Sequence, residues 1–154
     1  MVGDKVGAVA ATVTVSIDIP ASRRRVWEDV VDLAGHVEWM ADARSIEFAT
    51  DARSGVGTVM EEKTRIGPFR TTDLMEVTAW QPGERIAVSH CGLFSGVGEF
   101  ALADEGDGTR FAWSEQITFP WYFLGDLGAR MATPVFSRVW RRNLLALRDR
   151  FSAR

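Results

Sequence analysis

The residues from Trp121 to Phe151 carry one helical pattern whose character changes halfway. In its second half, bulky apolar residues recur at steps of three and four, which places them on one face of a helix. The same face, followed back through Pro134, meets only alanine and glycine. A helix that packs at one end and leaves space at the other predicts a cavity beside its first half. The bulky residues are Phe136, Trp140, Leu144, Leu147 and Phe151, and the small ones are Ala132, Ala129 and Gly125.

The composition is that of one ordinary globular domain. The 154 residues are 46% apolar and 25% charged, enough to bury a real core. We expect a flexible N-terminus over residues 1–11 and a single domain over residues 12–154. The net charge of −3 gives no reason to expect a nucleic-acid partner. No run of about 20 apolar residues exists, so no transmembrane helix is expected.

Several chemical functions lack their sequence motifs. Cys91 is the only cysteine, which excludes an internal disulfide and is compatible with the cytoplasmic location that we expect. The apolar run near the N-terminus leads directly into a strand pattern, so we do not interpret it as a signal peptide. Serine-nucleophile motifs, phosphate loops and metal-ligand spacings are absent. We therefore expect no cofactor and no metal. For the oligomeric state, we expect a monomer or a homodimer.

The periodicity along the chain predicts a strand, two short helices, six strands and a long helix. Val13 to Ile19 alternate with polar residues as in a half-buried strand, which Pro20 ends. Ser22 can cap a first helix, and Gly35 separates it from a second short helical segment. Period-two patterns separated by turns then predict strands Ser45–Thr50, Thr58–Ile66, Phe69–Trp80, Arg85–Cys91, Val97–Ala103 and Thr109–Phe119.

Consecutive strands with short turns favour an antiparallel meander. A seven-stranded sheet with one apolar face must cover that face. The C-terminal helix is the only predicted element long enough to do so, and the two short helices can close one end. The predicted class is therefore α+β, with the sheet packed on the last helix.

Several segments carry a resemblance to a known family. They are IPASRRRVWEDVVDLAGHVEWM from Ile19 to Met40, GVGT from Gly55 to Thr58, WQPGERIAV from Trp80 to Val88, GDGTRFAWSEQITF from Gly106 to Phe119, and the last helix. Together they resemble the START/Bet v 1-like (SRPBCC) superfamily, in particular bacterial polyketide cyclase/dehydrase-like proteins. The resemblance implies a helix-grip fold, in which a curved seven-stranded antiparallel sheet wraps around the C-terminal helix and encloses an apolar cavity.

The resemblance also implies a class of ligand. Members of the superfamily bind lipids, sterols, polyketides or other hydrophobic molecules, and some are cyclases or hydrolases. The superfamily has no universal catalytic motif that could be carried over to this chain, so the fold sets an expectation about the ligand and little more.

Glu115 lies on the bulky face of the last predicted strand, which makes it a carboxylate among aromatic residues. Burying it unpaired would be costly, so it should have a polar partner or be protonated. It could anchor a ligand hydroxyl or act as an acid or base. It could equally form a structural ion pair or a hydrogen bond to a neighbouring strand. The face that it shares comprises Phe111, Trp113, Ile117 and Phe119.

Asp73 and His90 are further polar candidates. Asp73 shares one face of its strand with Met75, but Trp80 belongs to the opposite face. The sequence therefore leaves open which face of this strand points toward the core. His90 follows an apolar strand face and could shuttle protons, although such a histidine is more often a hydrogen-bonded core residue. His36 is expected on a surface helix, beside Trp39.

An apolar cluster lies where the last strand leads into the last helix. It could be the mouth of a cavity, a dimer or membrane contact, or ordinary packing under a neighbouring loop, and packing is favoured. The cluster comprises Trp121, Tyr122, Phe123, Leu124, Leu127 and Met131.

These observations predict the binding or transport of a hydrophobic small molecule between the sheet and the small-residue half of the last helix. An aromatase/cyclase-like enzyme or a hydrolase is the alternative. No catalytic residue is assigned, and Glu115, Asp73 and His90 are the candidates if a reaction occurs. A protein-interaction module is the second alternative. The predicted ligand-binding residues are Trp39, Met60, Met75, His90, Trp113, Glu115, Phe119, Ala129, Ala132 and Phe136.

Overall fold

The structure, a computed structural model, describes residues 9–93, 95–119, 122 and 124–152. A seven-stranded antiparallel sheet has the order β1-β7-β6-β5-β4-β3-β2, so consecutive strands pair from β2 to β7 and β1 closes against β7. Two short helices separate β1 from β2, and a long helix follows β7. The elements are β1 (Val9–Ile19), α1 (Arg23–Val30), a 3₁₀ helix (Ala34–Glu38), β2 (Ala43–Phe48), β3 (Val59–Ile66), β4 (Phe69–Gln81), β5 (Arg85–Cys91), β6 (Ser95–Glu105), β7 (Gly108–Phe119) and α2 (Gly125–Ser152).

The predicted order of elements is confirmed, with corrections at several boundaries. One of them concerns β6, which extends from Ser95 to Glu105 rather than from Val97 to Ala103. β1 begins at Val9, so the expectation of a flexible segment was wrong for residues 9–11, which pair with β7 opposite Phe119 to Ile117. β2 begins at Ala43 rather than Ser45 and ends at Phe48. Helix α2 begins at Gly125, and the predicted start at Trp121 lies outside the described residues.

Local sequence signals explain how α1 forms. The hydroxyl of Ser22 accepts a hydrogen bond from the backbone N–H of Arg25, as expected for an N-cap. Val26 and Val30, four residues apart, are fully buried against the core. Among the described residues, no helix has both the length and the apolar character needed to cross a membrane.

A bulge in β4 settles which of its residues face inward. The pairing of β4 with β5 shifts between Val77 and Ala79, which adds one residue to β4 and reverses the alternation beyond it. Met75 and Val77 are buried before the bulge, and Trp80 packs against the core after it, with its ring 5.7 Å from that of Trp27. The question that the sequence left open is answered differently in the two halves of the strand: the face of Met75 points inward before the bulge, and the face of Trp80 points inward after it.

The second half of α2 holds the helix to the sheet. Its bulky residues from Trp140 to Phe151 are buried, and the helix packs chiefly against β1. Asn143 adds a polar connection, because its amide Nδ2 donates to Asp42 Oδ1 at 2.6 Å and its Oδ1 accepts from the backbone N–H of Ala41 at 3.0 Å. The helix is thereby tied to the start of β2 as well.

Candidate functional site

A cavity of about 620 Å³ lies between the sheet and the first half of α2. This volume falls within the range of about 300–1,000 Å³ that is usual for small-molecule sites. Its walls are mainly apolar, and strands β3 to β7 supply most of them. Helix α2 contributes Gly128, Met131, Ala132, Val135, Phe136 and Trp140.

The structure places most of the predicted ligand-binding residues on the cavity wall. Trp39 and Ala129 lie elsewhere. Trp39 is buried among core rings, 5.1 Å from the ring of His36, and Ala129 is buried in the core while Gly128 faces the cavity. The small-residue face is thus turned by about one residue from the predicted one. The residues on the wall are Met60, Met75, His90, Trp113, Glu115, Phe119, Ala132 and Phe136.

Stacked aromatic rings close one side of the cavity. The rings of Trp113 and Trp140 lie 5.1 Å apart at 27°, and those of Phe136 and Trp140 lie 5.4 Å apart at 11°. Phe100 meets Trp113 edge-on at 5.2 Å. These aromatic rings make this side of the cavity wall apolar.

Glu115 has polar partners, as its burial among aromatic residues requires. Its Oε1 accepts a hydrogen bond from Trp113 Nε1 at 2.9 Å, and its Oε2 lies 3.1 Å from His90 Nε2. The contact with His90 has the distance of an ion pair without the direction of a hydrogen bond. Gly98, which pairs with Glu115 across the strands, leaves room for the carboxylate, because a Cβ there would lie 2.5 Å from Oε1.

His90 faces the cavity from β5 and is surrounded by carboxylates. Burial opposes the charged imidazolium, but the contact with Glu115 and the charges of Glu115, Glu62 and Asp73 outweigh it and raise the pKa of His90. A positive charge is therefore favoured at this point of an otherwise acidic wall. Chemically, His90 and Glu115 form a pair across which a proton could be exchanged.

Glu62 is the acidic residue of the site whose carboxylate has the fewest polar partners. It lies on β3 directly opposite Asp73 of β4, is only 8% exposed and lines the cavity. No hydrogen bond or ion pair joins its carboxylate to any other residue in the described part of the chain. Burial raises the pKa of Glu62 from its ordinary value of 4.5 to about 7, and the charge of Asp42 adds to this effect. Glu115 and Asp73 act in the same direction, whereas His90 opposes them.

Asp73 and Asp42 complete the acidic wall. Asp73 Oδ2 accepts from the hydroxyl of Thr71 at 3.0 Å, whereas its buried Oδ1 has no hydrogen-bond partner. Asp42 accepts from Asn143, but burial raises the pKa of its carboxyl. Glu62 could have been found from the sequence because it shares the face of Met60, whereas Asp42 precedes a strand and carries no periodic signal.

His36 corrects a prediction. It is buried and borders the cavity, not exposed on a surface helix, because its 3₁₀ helix turns it toward Phe100 of β6, 5.6 Å away between ring centres. Its Nε2 lies 2.7 Å from the carbonyl oxygen of Val30 and donates to it. Burial lowers the pKa of His36, which favours the neutral ring.

The cluster before α2 borders the cavity opening. Tyr122, Leu124 and Met131 line the cavity and remain largely exposed, and Leu127 is exposed as well. The favoured interpretation as covered packing was therefore wrong for Leu124, Leu127 and Met131, whose side chains are exposed. Trp121 and Phe123 lie outside the described residues.

Comparison with known proteins agrees with this geometry. The family model described as polyketide cyclase/dehydrase and lipid transport matches residues 10–152. The chain therefore belongs to the polyketide cyclase/dehydrase and lipid transport family, and its fold is the helix-grip (Bet v 1-like) fold. At the level of sequence, no curated protein matches.

Solved structures share this fold at low sequence identity. A protein from Thermus thermophilus has a TM-score of 0.81 at 23% identity, over 93% of this chain and 98% of that one. The ZhuI aromatase/cyclase from Streptomyces sp. R1128 has a TM-score of 0.76 at 15% identity, over 93% of this chain and 94% of that one. The two-domain aromatase/cyclase BexL from the BE-7585A biosynthetic pathway has a TM-score of 0.77 at 20% identity, over 95% of this chain and 51% of that one.

Proposed function

We propose that this protein binds a hydrophobic small molecule that carries a few polar groups. The observation that supports the proposal best is the cavity of about 620 Å³, whose walls are mainly apolar and whose polar groups converge on one side. Burial of apolar ligand surface supplies most of the affinity, and a few polar contacts set the orientation of the ligand. Membership of a family described by both cyclases and lipid transport supports the same ligand class.

Flat, ring-bearing ligands suit the wall formed by Trp113, Phe136 and Trp140. Offset stacking on these rings would add to the affinity that burial of apolar surface provides. Met60 and Met75, both buried, face the same cavity from β3 and β4 and can adapt to ligands of varied shape. The exposed residues around Met131 would form the entrance.

Titration with the neutral aromatic probe 1,8-dihydroxyanthraquinone, followed by quenching of tryptophan fluorescence, tests the proposal. The wild-type protein should bind it with a saturable isotherm. Ala132→Trp places an indole in the cavity and should abolish binding, whereas Ala146→Trp, on the exposed side of the same helix, should not. Equal binding by the two variants would contradict a site between the sheet and α2.

A second candidate function is proton-transfer catalysis of the aromatase/cyclase kind. The observation in its favour is the convergence of Glu62 with the pair His90–Glu115 on one wall. Because burial brings the pKa of Glu62 to about 7, this group can both donate and accept a proton near neutral pH. Such groups could remove a proton next to a ketone and promote loss of water after ring closure.

Incubation with a linear poly-β-ketone thioester analogue, analysed by mass spectrometry for cyclised and dehydrated products, distinguishes the two functions. If the protein is an enzyme, Glu115→Gln should bind the analogue and fail to convert it. If it is a carrier, the wild-type protein should bind the analogue and release it unchanged. Loss of binding alone in Glu115→Gln would assign this residue to ligand anchoring.

A further inference from the structure

The charges that border the cavity are almost all of one sign. Among the described residues that line it, Asp42, Glu62, Asp73, Glu99 and Glu115 are acidic, and none is lysine or arginine. Glu99 has its own partner, because Arg85 Nε donates to its Oε2 at 2.6 Å. The positive charge that is favoured on His90 offsets part of the negative charge of the remaining carboxylates.

The available hydrogen-bond donors do not suffice for these carboxylates. Trp113 donates to Glu115, Asn143 donates to Asp42, and Thr71 donates to one oxygen of Asp73. His90 makes an ion-pair contact with Glu115. Glu62 receives no donor from the described part of the protein, although more than nine-tenths of it is buried. A buried charge is normally paired, so an uncompensated one facing a cavity indicates a partner that enters from outside.

The strand register concentrates this shortage of hydrogen-bond donors at Glu62 and Asp73. Glu62 and Asp73 are direct cross-strand partners, and like charges in that arrangement destabilise a sheet. Asp42 adds a third charge, which contributes to the raised pKa of Glu62. These carboxylates are not arranged as ligands of one metal ion. In the described part of the chain, no group of three or more His, Cys, Asp or Glu residues could hold one.

We propose that the cavity selects ligands that carry a protonated amine on an apolar frame, with the amine bound at Glu62. This inference rests on the proposed function of ligand binding and adds the chemical class of the ligand. An ammonium group has three N–H donors and a positive charge, which is what Glu62 lacks. Asp42 and Asp73 stabilise the cation through their charge, and the aromatic wall packs against the apolar frame. A ligand carboxylate, as in a fatty acid, is repelled by the same groups.

Calorimetric titration with three matched probes tests the inference. The probes are 2-(2-naphthyl)ethylamine, 2-(2-naphthyl)ethanol and 2-naphthylacetic acid, at pH 8, where Glu62 is ionised. The amine should bind at least about tenfold more tightly than the alcohol, since its hydrogen bonds to Glu62 are charge-assisted. The acid should show no measurable binding.

The variant Glu62→Gln separates recognition from folding. It should bind the alcohol as the wild-type protein does and lose the preference for the amine. In the wild-type protein the preference should also diminish from pH 8 to pH 5.5, because Glu62 takes up a proton as the pH falls through about 7. The charges of Asp42, Asp73, Glu115 and His90 all act on Glu62, so the pH effect is attributed to Glu62 only if Glu62→Gln lacks it.

Equal affinity for the amine and the alcohol, or tighter binding of the acid, would overturn the inference and leave the proposed function intact. Retention of the amine preference in Glu62→Gln would overturn the assignment to Glu62. Failure of all three probes, together with failure of 1,8-dihydroxyanthraquinone, would overturn the inference and the proposed function together.

Discussion

A carboxylate that is buried without a donor, as Glu62 is, costs the folded protein free energy whenever it is ionised. Its raised pKa expresses that cost, because the folded state binds its proton more tightly than the unfolded state does. Glu115 is also buried, but its carboxylate has polar partners. Trp113 and His90 lie against its two oxygens, so its burial is compensated inside the protein.

The pH dependence of stability should reveal Glu62. Its destabilising contribution is absent below about pH 4.5, grows as the pH rises to about 7 and is complete above that. Glu62→Gln should therefore raise the free energy of unfolding at pH 8, by up to on the order of 3 kcal/mol, and change it little at pH 4.5. Urea denaturation at both pH values measures this. Glu76→Gln, exposed on the outer face of β4, is the control, and an equal effect of both variants at pH 8 would refute the assignment.

Gly98 should control the state of His90. Because a Cβ at position 98 would approach both oxygens of Glu115, Gly98→Ala should displace the carboxylate from His90. The pKa of His90 should then fall, since the contact that raises it is lost while its burial remains. NMR titration of the imidazole follows this change. Val97→Ala, on the outer side of the same strand, should leave the titration unchanged, and an unshifted His90 in Gly98→Ala would refute the steric argument.

At the scale of elements, α2 has two halves with different tasks. One face of the second half, from Trp140 to Phe151, is buried and holds the helix on the sheet, whereas the first half presents small residues to the cavity. Pro134 lies between them and cannot donate a backbone hydrogen bond. The hydroxyl of Thr133 donates to the carbonyl of Ala129 at 2.8 Å, which adds a side-chain bond within this turn.

Asn143 should be the most sensitive polar residue of α2. Asn143→Ala removes the donor of Asp42 and the acceptor of the Ala41 N–H, both partly or fully buried. Loss of such partners costs about 1–3 kcal/mol each, so the melting temperature should fall by several degrees. Arg142→Ala, at the exposed neighbouring position, should change stability by no more than about 0.5 kcal/mol. Thermal denaturation of both variants tests this, and similar melting temperatures would speak against the role of Asn143.

At the scale of the whole molecule, the cavity couples ligand binding to stability. A ligand present at about one hundred times its dissociation constant should stabilise the folded state by about 2.7 kcal/mol, which corresponds to roughly 5–10 °C in melting temperature. The shift should increase with the logarithm of ligand concentration and be absent in Ala132→Trp. A shift of equal size in that variant would place the ligand outside the cavity.

Much of the fold could be predicted because it depends on local patterns. Alternation along β1 and β7 and the helical period from Phe136 to Phe151 each report which face is buried. The bulge after Val77 could not be predicted, since it arises from the pairing of β4 with β5. His36 was misplaced for a similar reason: a segment of this length does not show by itself which side the rest of the chain covers.

The candidate site was predictable only in part. Glu115 stood out because its neighbours on the strand are aromatic, and Glu62 was missed although it shares the face of Met60. Asp42 owes its position to the hydrogen bond from Asn143, which is 101 residues away in sequence. A contact of that range leaves no periodic signal in a single sequence.

The amino-acid sequence by itself determined the order of strands and helices, the buried faces and the presence of space beside the first half of α2. These properties follow from side-chain size and polarity at fixed spacing, which are local. The tertiary structure decided that Glu62, Asp73, His90 and Glu115 meet on one wall, because they come from separate strands whose register sets their distances. It also decided which of these groups are compensated, because burial and hydrogen-bond partners exist only once the chain has folded.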